Sequence, residues 1–462
     1  MMFTSDDIRR ATRARLEGPA VEVTGVSTDS RSVKPGELFV ALCGGTFDGH
    51  AFAATAVANG AAALLVSNRV AAPVPQFIVQ DTLAAYQDLA HYHRARFSCP
   101  VIAVTGTNGK TTTKEMIRAI LARHGNPLGT ERNYNNHVGV PRTLLRMDAA
   151  HTHAVVEMGM NHRGEIKRLS EIAGPDVAVI TNIGRGHLEF LGTLENVAQA
   201  KLEILEGLTQ GGIAVLPRDD AFFATMRDAA ITRRDADVIT FGTAADSIIR
   251  VRINRADVTG VDATLYAPCG AADVRLRYAG AHNALNAAAA VAACFAVTHE
   301  MSIGEVAEVL AATQPVDMRC QVSDVSGIIV IADCYNANPD STAAALRLLG
   351  GSECRGRRIA ALGDMNELGA AAHEAHRRAG AVAAEAGIDL LMAVGGFSHT
   401  TIEGAREAGM PASCAQAFDD VADASRKLKE YLQPGDVLLV KGSRTMRMER
   451  IITELQEAAR AA

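Results

Sequence analysis

The chain has 462 residues, 48% of them hydrophobic and 21% charged, with a formal net charge of −6. That length exceeds what one hydrophobic core supports, so about two to four domains are expected, and the acidic balance argues against a dedicated nucleic-acid surface. The eight cysteines are scattered with no Cys-x-x-Cys pair, which indicates neither a zinc site nor a disulfide framework; no run approaches the ~20 apolar residues of a membrane span, the first residues show no apolar signal core, and a cytoplasmic chain is expected.

Residues 1–98 predict a small α/β domain. Short strands and turns come first, then a helix over 51–60, strands over 61–66 and 76–79, and a helix over 82–96. Ser98-Cys99-Pro100 breaks the pattern.

Residues 99–313 open on Val101-Ile-Ala-Val-Thr-Gly-Thr-Asn-Gly-Lys-Thr-Thr-Thr113. The apolar run reads as a buried strand. Gly106 and Gly109 permit a sharp turn, and Lys110-Thr111 begin a helix through Met116, Ile117, Ile120 and Leu121. Backbone N–H groups at a helix N-terminus, with one ammonium and one hydroxyl, suit a nucleotide's phosphates and Mg²⁺. The loop is a short form, because Val104 stands where the full motif has Gly. Apolar runs at 154–158, 177–180, 213–216 and 238–241 predict a largely parallel sheet with helices on both faces. Alternation over 248–278 predicts antiparallel strands, and an Ala-rich helix follows from His282 to about Val297.

Several polar residues sit where these strands end, the usual ligand edge of an open α/β sheet. Glu157 ends an apolar run, as a Mg²⁺ ligand or as a capping or salt-bridged carboxylate. His187 closes Thr-Asn-Ile-Gly-Arg-Gly-His, as a structural histidine or a ligand. Lys201 lies in an amphipathic helix and by itself reads as a solvated lysine. Asn133-Tyr-Asn-Asn-His-Val-Gly-Val-Pro141 carries three amides. Asn283 and Asn286 share one helix face, for capping or for an adenine edge.

Residues 314–462 predict a second doubly wound unit, Rossmann-like, with strands at 328–332, 359–362, 390–394 and 437–440. Helices are expected around 342–349, 370–386, 422–432 and 446–459. Asp317-Met-Arg319 follows a Gln-Pro break. Asp333-Cys-Tyr-Asn-Ala-Asn-Pro-Asp-Ser341 follows a strand, either as a plain loop or as a place for a second substrate.

Together these residues resemble the Mur ligase family, ATP-dependent amide-forming enzymes of peptidoglycan precursor synthesis, over essentially the whole chain. The loop Thr105-Gly-Thr-Asn-Gly-Lys-Thr-Thr112, Glu157, His187, Lys201, His282-Asn283, Arg319 and Asp333 follow that family's order. Three stretches resemble the member that adds D-alanyl-D-alanine to UDP-N-acetylmuramoyl-tripeptide: 133–141, Glu157-Met-Gly-Met-Asn-His-Arg-Gly-Glu-Ile166 and Asp333-Cys-Tyr-Asn-Ala-Asn-Pro339. The Asp-Asn-Pro-Arg of the ligase for the third residue is absent. Thr28-Asp-Ser-Arg-Ser-Val-Lys-Pro-Gly-Glu-Leu-Phe-Val40 and Phe47-Asp-Gly-His50 resemble a uridine-nucleotide pocket, which argues against folate polyglutamylation.

The resemblance implies three α/β domains: 1–98 for the UDP substrate, 99–313 for ATP, and 314–462 for the incoming dipeptide and part of ATP. It implies Lys110, Lys201, His187 and Arg319 in catalysis. It places nucleotide on Gly106, Thr107, Asn108, Gly109, Lys110, Thr111, Thr112, Asn136, Asn283, Asn286, Arg319 and Asp333. It implies two Mg²⁺ ions, on Thr111, Glu157, His187 and a carbamylated Lys201. Substrate would meet Ser30, Arg31, Phe47, Asp48, His50, Tyr335, Asn336 and Asn338. The partners are then small molecules, and a monomer is expected.

Overall fold

In the computed structural model, which describes residues 2–45, 47–298 and 301–461, the apolar runs of the middle block pair into one nine-stranded sheet. Its order is Gly270–Leu276, Gly260–Ala267, Ile249–Asp257, Asp237–Gly242, Ile213–Pro217, Val177–Ile180, Val101–Thr105, His153–Glu157 and Pro127–Gly129. Neighbours are parallel except at the first two strands, which form antiparallel hairpins. The central strand is buried throughout because the sheet is covered on both faces. Val101 and Ala103 point into one core with Val156 and Leu89; Ile102 and Val104 point into the other with Met116, Ile117 and Ile120. The helix His282–Val297 lies on this second face, and its run of buried alanines lets the backbone approach the sheet closely.

The N-terminal domain carries a five-stranded sheet of order Arg15–Glu17, Gln76–Ile78, Ala63–Val66, Leu38–Val40 and Val26–Ser27. Its helix Thr82–Arg94 fastens it to the central domain. His93 donates from Nε2 to the Met147 carbonyl at 2.8 Å, and Arg168 binds Asp88 at 2.6 Å. Phe3 and Leu89 share one apolar core with Val101 and Val156, so no solvent layer separates the two domains.

The C-terminal domain has a six-stranded sheet of order Gln321–Val325, Ile328–Asp333, Val437–Lys441, Arg358–Gly363, Leu390–Val394 and Ala415–Phe418. Only the first pair is antiparallel. The two edge strands and the helix Ser398–Glu407 were not expected from the sequence. Short edge strands need only one apolar face, so Gln-Val-Ser-Asp-Val gives little periodic signal.

The buried carboxylate of Asp436, paired with a part-exposed Arg357, fixes the start of the Val437–Lys441 strand. Asp436 accepts from the Arg357 and Gln433 amides at 2.9 Å each and from Arg357 Nη2 at 2.7 Å. Burial pushes this carboxyl up, but those hydrogen bonds outweigh it and hold it below the usual carboxylate range. A carboxyl depressed in the folded state contributes stability above its unfolded pKa and loses it as pH falls through the folded value. Asp436→Asn is therefore expected to lower unfolding free energy by about 2 kcal/mol at pH 7 and much less near pH 3. Thermal melts at both pH values check this, and an equal loss at both would contradict it.

Candidate active site

The phosphate loop needs glycine at two places. Gly106 has φ 143° and Gly109 φ 80°, and a Cβ would lie 1.9 Å from Thr181 Oγ1 in the first case and 2.2 Å from Asn286 Oδ1 in the second. Gly109 is the N-cap of the helix Lys110–Leu121, which no side chain caps. Its first-turn N–H groups are thus left for an anion. Lys110 folds back over the loop, donating to the Gly106 and Thr107 carbonyls at 2.9 and 3.2 Å.

The segment after the Val177–Ile180 strand clamps this loop. Asn182 accepts from the Asn108 amide at 3.0 Å and donates to the Asn108 carbonyl at 3.0 Å. Thr181 donates to the same carbonyl at 2.6 Å, and Thr107 exchanges hydrogen bonds with Gly184. In the sequence, this Thr-Asn-Ile-Gly-Arg-Gly-His stretch points to His187 alone. The polar pair directly after an apolar strand was the available signal for Thr181 and Asn182.

Glu157 ends its strand almost fully buried. Its Oε1 accepts from Asn135 Nδ2 at 2.8 Å, while Oε2 has no partner among the described residues. Asn135 was part of the three-amide stretch, yet Asn136 was the residue expected to bind. Asn136 accepts from the Val138 and Gly139 amides and so turns the chain into the helix Gly139–Leu144. Lys201 is 0% exposed and its Nζ has no partner among the described residues. Burial, and then the charge of Lys110, hold its pKa well below the usual lysine range. Burial also lowers Lys110, with Glu157 acting against the shift and Arg319 with it. His187, in the left-handed region at φ 58°, is lowered by burial too, and feels both Lys201 and Lys110. Each of these groups interacts with Lys110, so the fold brings Lys110, Glu157, His187, Lys201 and Arg319 to one cleft.

The C-terminal domain closes this cleft. Asn338, the N-cap of the helix Pro339–Gly350, donates to Asn108 Oδ1 at 2.8 Å. Asp340 accepts from the Arg185 amide at 2.7 Å, and Glu367 meets His187 Nδ1 at 2.7 Å. Arg319 lies over the Tyr335 ring, 4.1 Å from its centroid, with Nε buried and unpartnered. It is flanked by Met318 and Cys320, both at positive φ, which is local strain of the kind that holds site residues. Asp333 is paired with Lys441 at 2.6 Å, and Lys441 also donates to the Asn336 carbonyl at 3.1 Å. Lys441 went unnoticed in the sequence; a cation ending an apolar run just before Gly-Ser was its mark.

Asn283 and Asn286 stand behind the loop, both buried. Asn283 donates to the Ala279 carbonyl and accepts from Asn286, whose Oδ1 faces Gly109 and Thr113.

The remaining residues lie in the N-terminal domain. Ser30 is buried and its carbonyl holds Asn59, while Arg31 is exposed and forms a bidentate pair with Asp29. Arg31 holds the Asp29 carboxyl down at about 2. Phe47 is 54% exposed. His50 accepts from the Ser67 amide at Nε2, so its proton sits on Nδ1 and is donated to Asp48 at 2.6 Å. That tautomer removes His50 from the nearby Cys43–Asp48–His50 cluster as a metal ligand.

Family models match in three places: Mur ligase family, catalytic domain at 22–95; Mur ligase middle domain at 104–294; and Mur ligase, glutamate ligase domain at 318–444. The UDP-N-acetylmuramoyl-tripeptide--D-alanyl-D-alanine ligase of Escherichia coli (strain K12) is 38% identical over 450 residues, 96% of each chain. Its namesake from Bacillus subtilis (strain 168) is 34% identical over 98% of each. Crystal structure I of MurF from Acinetobacter baumannii superposes with a TM-score of 0.91 at 34% identity, over 98% of this chain and 99% of that one. MurF ligase from Thermotoga maritima in complex with ADP gives 0.82 at 27% identity, over 95% and 98%. With full-length relatives above 30% identity and family matches in all three domains, the chain belongs to the Mur ligase family.

Proposed function

We propose that this chain is an ATP-dependent ligase that joins D-alanyl-D-alanine to the terminal carboxylate of UDP-N-acetylmuramoyl-tripeptide, by way of an acyl phosphate, in peptidoglycan precursor synthesis. The observation that carries the reading is the phosphate loop facing buried ionisable atoms that the protein itself leaves unpaired: Glu157 Oε2, Lys201 Nζ and Arg319 Nε. Burying such groups without partners is costly unless a ligand completes them. The full-length likeness to ligases named for this reaction supplies the substrates.

ATP lies along residues 106–112, with Lys110 swinging from the loop carbonyls to the β- and γ-oxygens. The tripeptide carboxylate attacks the γ-phosphorus, the bond to the bridging oxygen breaks, and ADP leaves. The dipeptide amine then attacks the acyl carbon, loses a proton, and phosphate departs. Such chemistry asks mainly for position and charge neutralisation. Arg319, carried in by the C-terminal domain, adds positive charge over the transferring group. Asn136, Asn283, Asn286 and Asp333 shape the nucleotide's surroundings. Ser30, Arg31, Phe47, Asp48 and His50 hold the uridine end, and Tyr335, Asn336 and Asn338 the dipeptide. The domain junctions are placed at 98/99 and 313/314, and the protein works as a cytoplasmic monomer.

Two Mg²⁺ ions would be held by Thr111 with Glu157, whose Oε2 is an oxygen donor without a partner among the described residues, and by His187 with a carbamylated Lys201, and would neutralise phosphate oxygens. Carbamylation requires a neutral amine, and burial, with the charge of Lys110 beside it, favours that form of Lys201. The amine adds CO₂, loses a proton, and becomes an anionic oxygen ligand.

Lys110→Ala is expected to lower product formation at least about a hundredfold; turnover at the normal rate would remove the phosphate-loop assignment. Lys201→Ala should be almost inactive and partly restored by formate or acetate. Normal activity of that variant would return Lys201 to a purely structural role. ADP release with UDP-tripeptide should be stimulated by D-alanyl-D-alanine and not by lysine or diaminopimelate. Stimulation by those amino acids on UDP-dipeptide would instead assign the neighbouring reaction, and nucleotide binding without product a non-ligase module.

A further inference from the structure

Glu367 lies outside every motif read from the sequence, yet its carboxylate meets His187 Nδ1 at 2.7 Å from the other side of the cleft. The two side chains are 38% and 19% exposed. An ion pair that accessible adds little stability, about 0–1 kcal/mol. The effort spent in holding Glu367 is out of proportion to that.

Its loop is tied down on every side. Asp364 accepts from the Gly396 and Phe397 amides at 2.8 and 3.0 Å. The Met365 amide donates to His376 Nε2 at 2.9 Å, and His376, buried and stacked on Phe397, donates from Nδ1 to the Ala372 carbonyl at 2.7 Å. The Asn366 amide donates to Ser443 Oγ at 2.8 Å. Glu367 itself sits at φ 61°, and its carbonyl accepts from the Glu189 amide across the cleft at 2.9 Å. Leu188 packs against Met365 and Leu368. The next glycine, Gly369, has φ 53°, and a Cβ there would stand 3.0 Å from the Glu189 Cα. Two residues at positive φ, His187 and Glu367, thus face each other with both backbones pinned.

We propose that Glu367 is a positioning residue for His187. A carboxylate can only accept, so it fixes the imidazole proton on Nδ1 and leaves the Nε2 lone pair free for the cleft. Because the two residues belong to different domains, His187 is held in this state only when the C-terminal domain is docked. Assembly of the reaction centre is thereby coupled to closure, with no direct contact between Glu367 and any reacting atom.

The inference rests on the reading that His187 faces the reacting groups, and the test separates the two. Glu367→Ala, Glu367→Gln and His187→Ala are compared, with unfolding temperatures recorded to confirm folded protein. The His187 ring nitrogens are observed by ¹⁵N NMR in metal-free protein, assigned by their loss in His187→Ala. The expected spectrum has the proton on Nδ1 in the parent and in Glu367→Gln, whose amide oxygen still accepts, and a mixture of tautomers in Glu367→Ala. In parallel, kcat is expected to fall about 10- to 100-fold in Glu367→Ala and to be largely recovered in Glu367→Gln. An unchanged tautomer in Glu367→Ala, or equal loss of rate in both Glu367 variants, would overturn the positioning role. If His187→Ala is impaired while Glu367→Ala is not, the positioning role alone fails. If His187→Ala turns over normally, the reading of the site beneath it fails as well.

Discussion

Burying an ionisable atom without a partner works against folding, and three of the atoms so buried among the described residues, a carboxylate oxygen, an amine and a guanidinium nitrogen, stand around one cleft. Glu157, Lys201 and Arg319 arrive from a strand end, a helix and a strained turn of a different domain. The phosphates of a bound nucleotide would pair the two cationic groups, so the arrangement suits a site for ATP.

The rest of the architecture serves to keep those atoms in register. A fully buried parallel sheet sets the phosphate loop at its edge, and Thr181 and Asn182 clamp the loop from the neighbouring strand. The same segment then runs on to Arg185 and His187, where the C-terminal domain takes hold through Asp340 and Glu367. One stretch of seven residues, 181–187, therefore touches the phosphate loop with its first residues and the closing domain with its last. Positive φ at His187, Met318, Cys320 and Glu367 clusters along this seam. Such strain is maintained where a side chain must point in one direction.

Much of this was legible in the sequence because it rests on local chemistry. Glycine spacing and a Lys-Thr pair after an apolar run announce a phosphate loop, and long apolar runs announce buried parallel strands. The three-domain α/β architecture followed from those runs and from the resemblance. The supporting residues were harder to see, since their roles depend on tertiary neighbours. Nothing in Asn135-Asn136 says which amide reaches Glu157 and which turns the backbone into a helix. Lys441 meets Asp333 across 108 residues and Glu367 meets His187 across 180, distances at which no periodicity survives. Edge strands such as Gln321–Val325 carry too little apolar patterning to stand out.

The cleft activates a carboxylate by transferring a phosphoryl group to it. Oxygen tracing tests that directly: UDP-tripeptide labelled with ¹⁸O in its terminal carboxylate is turned over with ATP and D-alanyl-D-alanine, and the released inorganic phosphate is analysed by mass spectrometry. The account predicts that each phosphate formed carries one oxygen from the labelled carboxylate. Phosphate free of the label, with amide product formed at the normal rate, would contradict it.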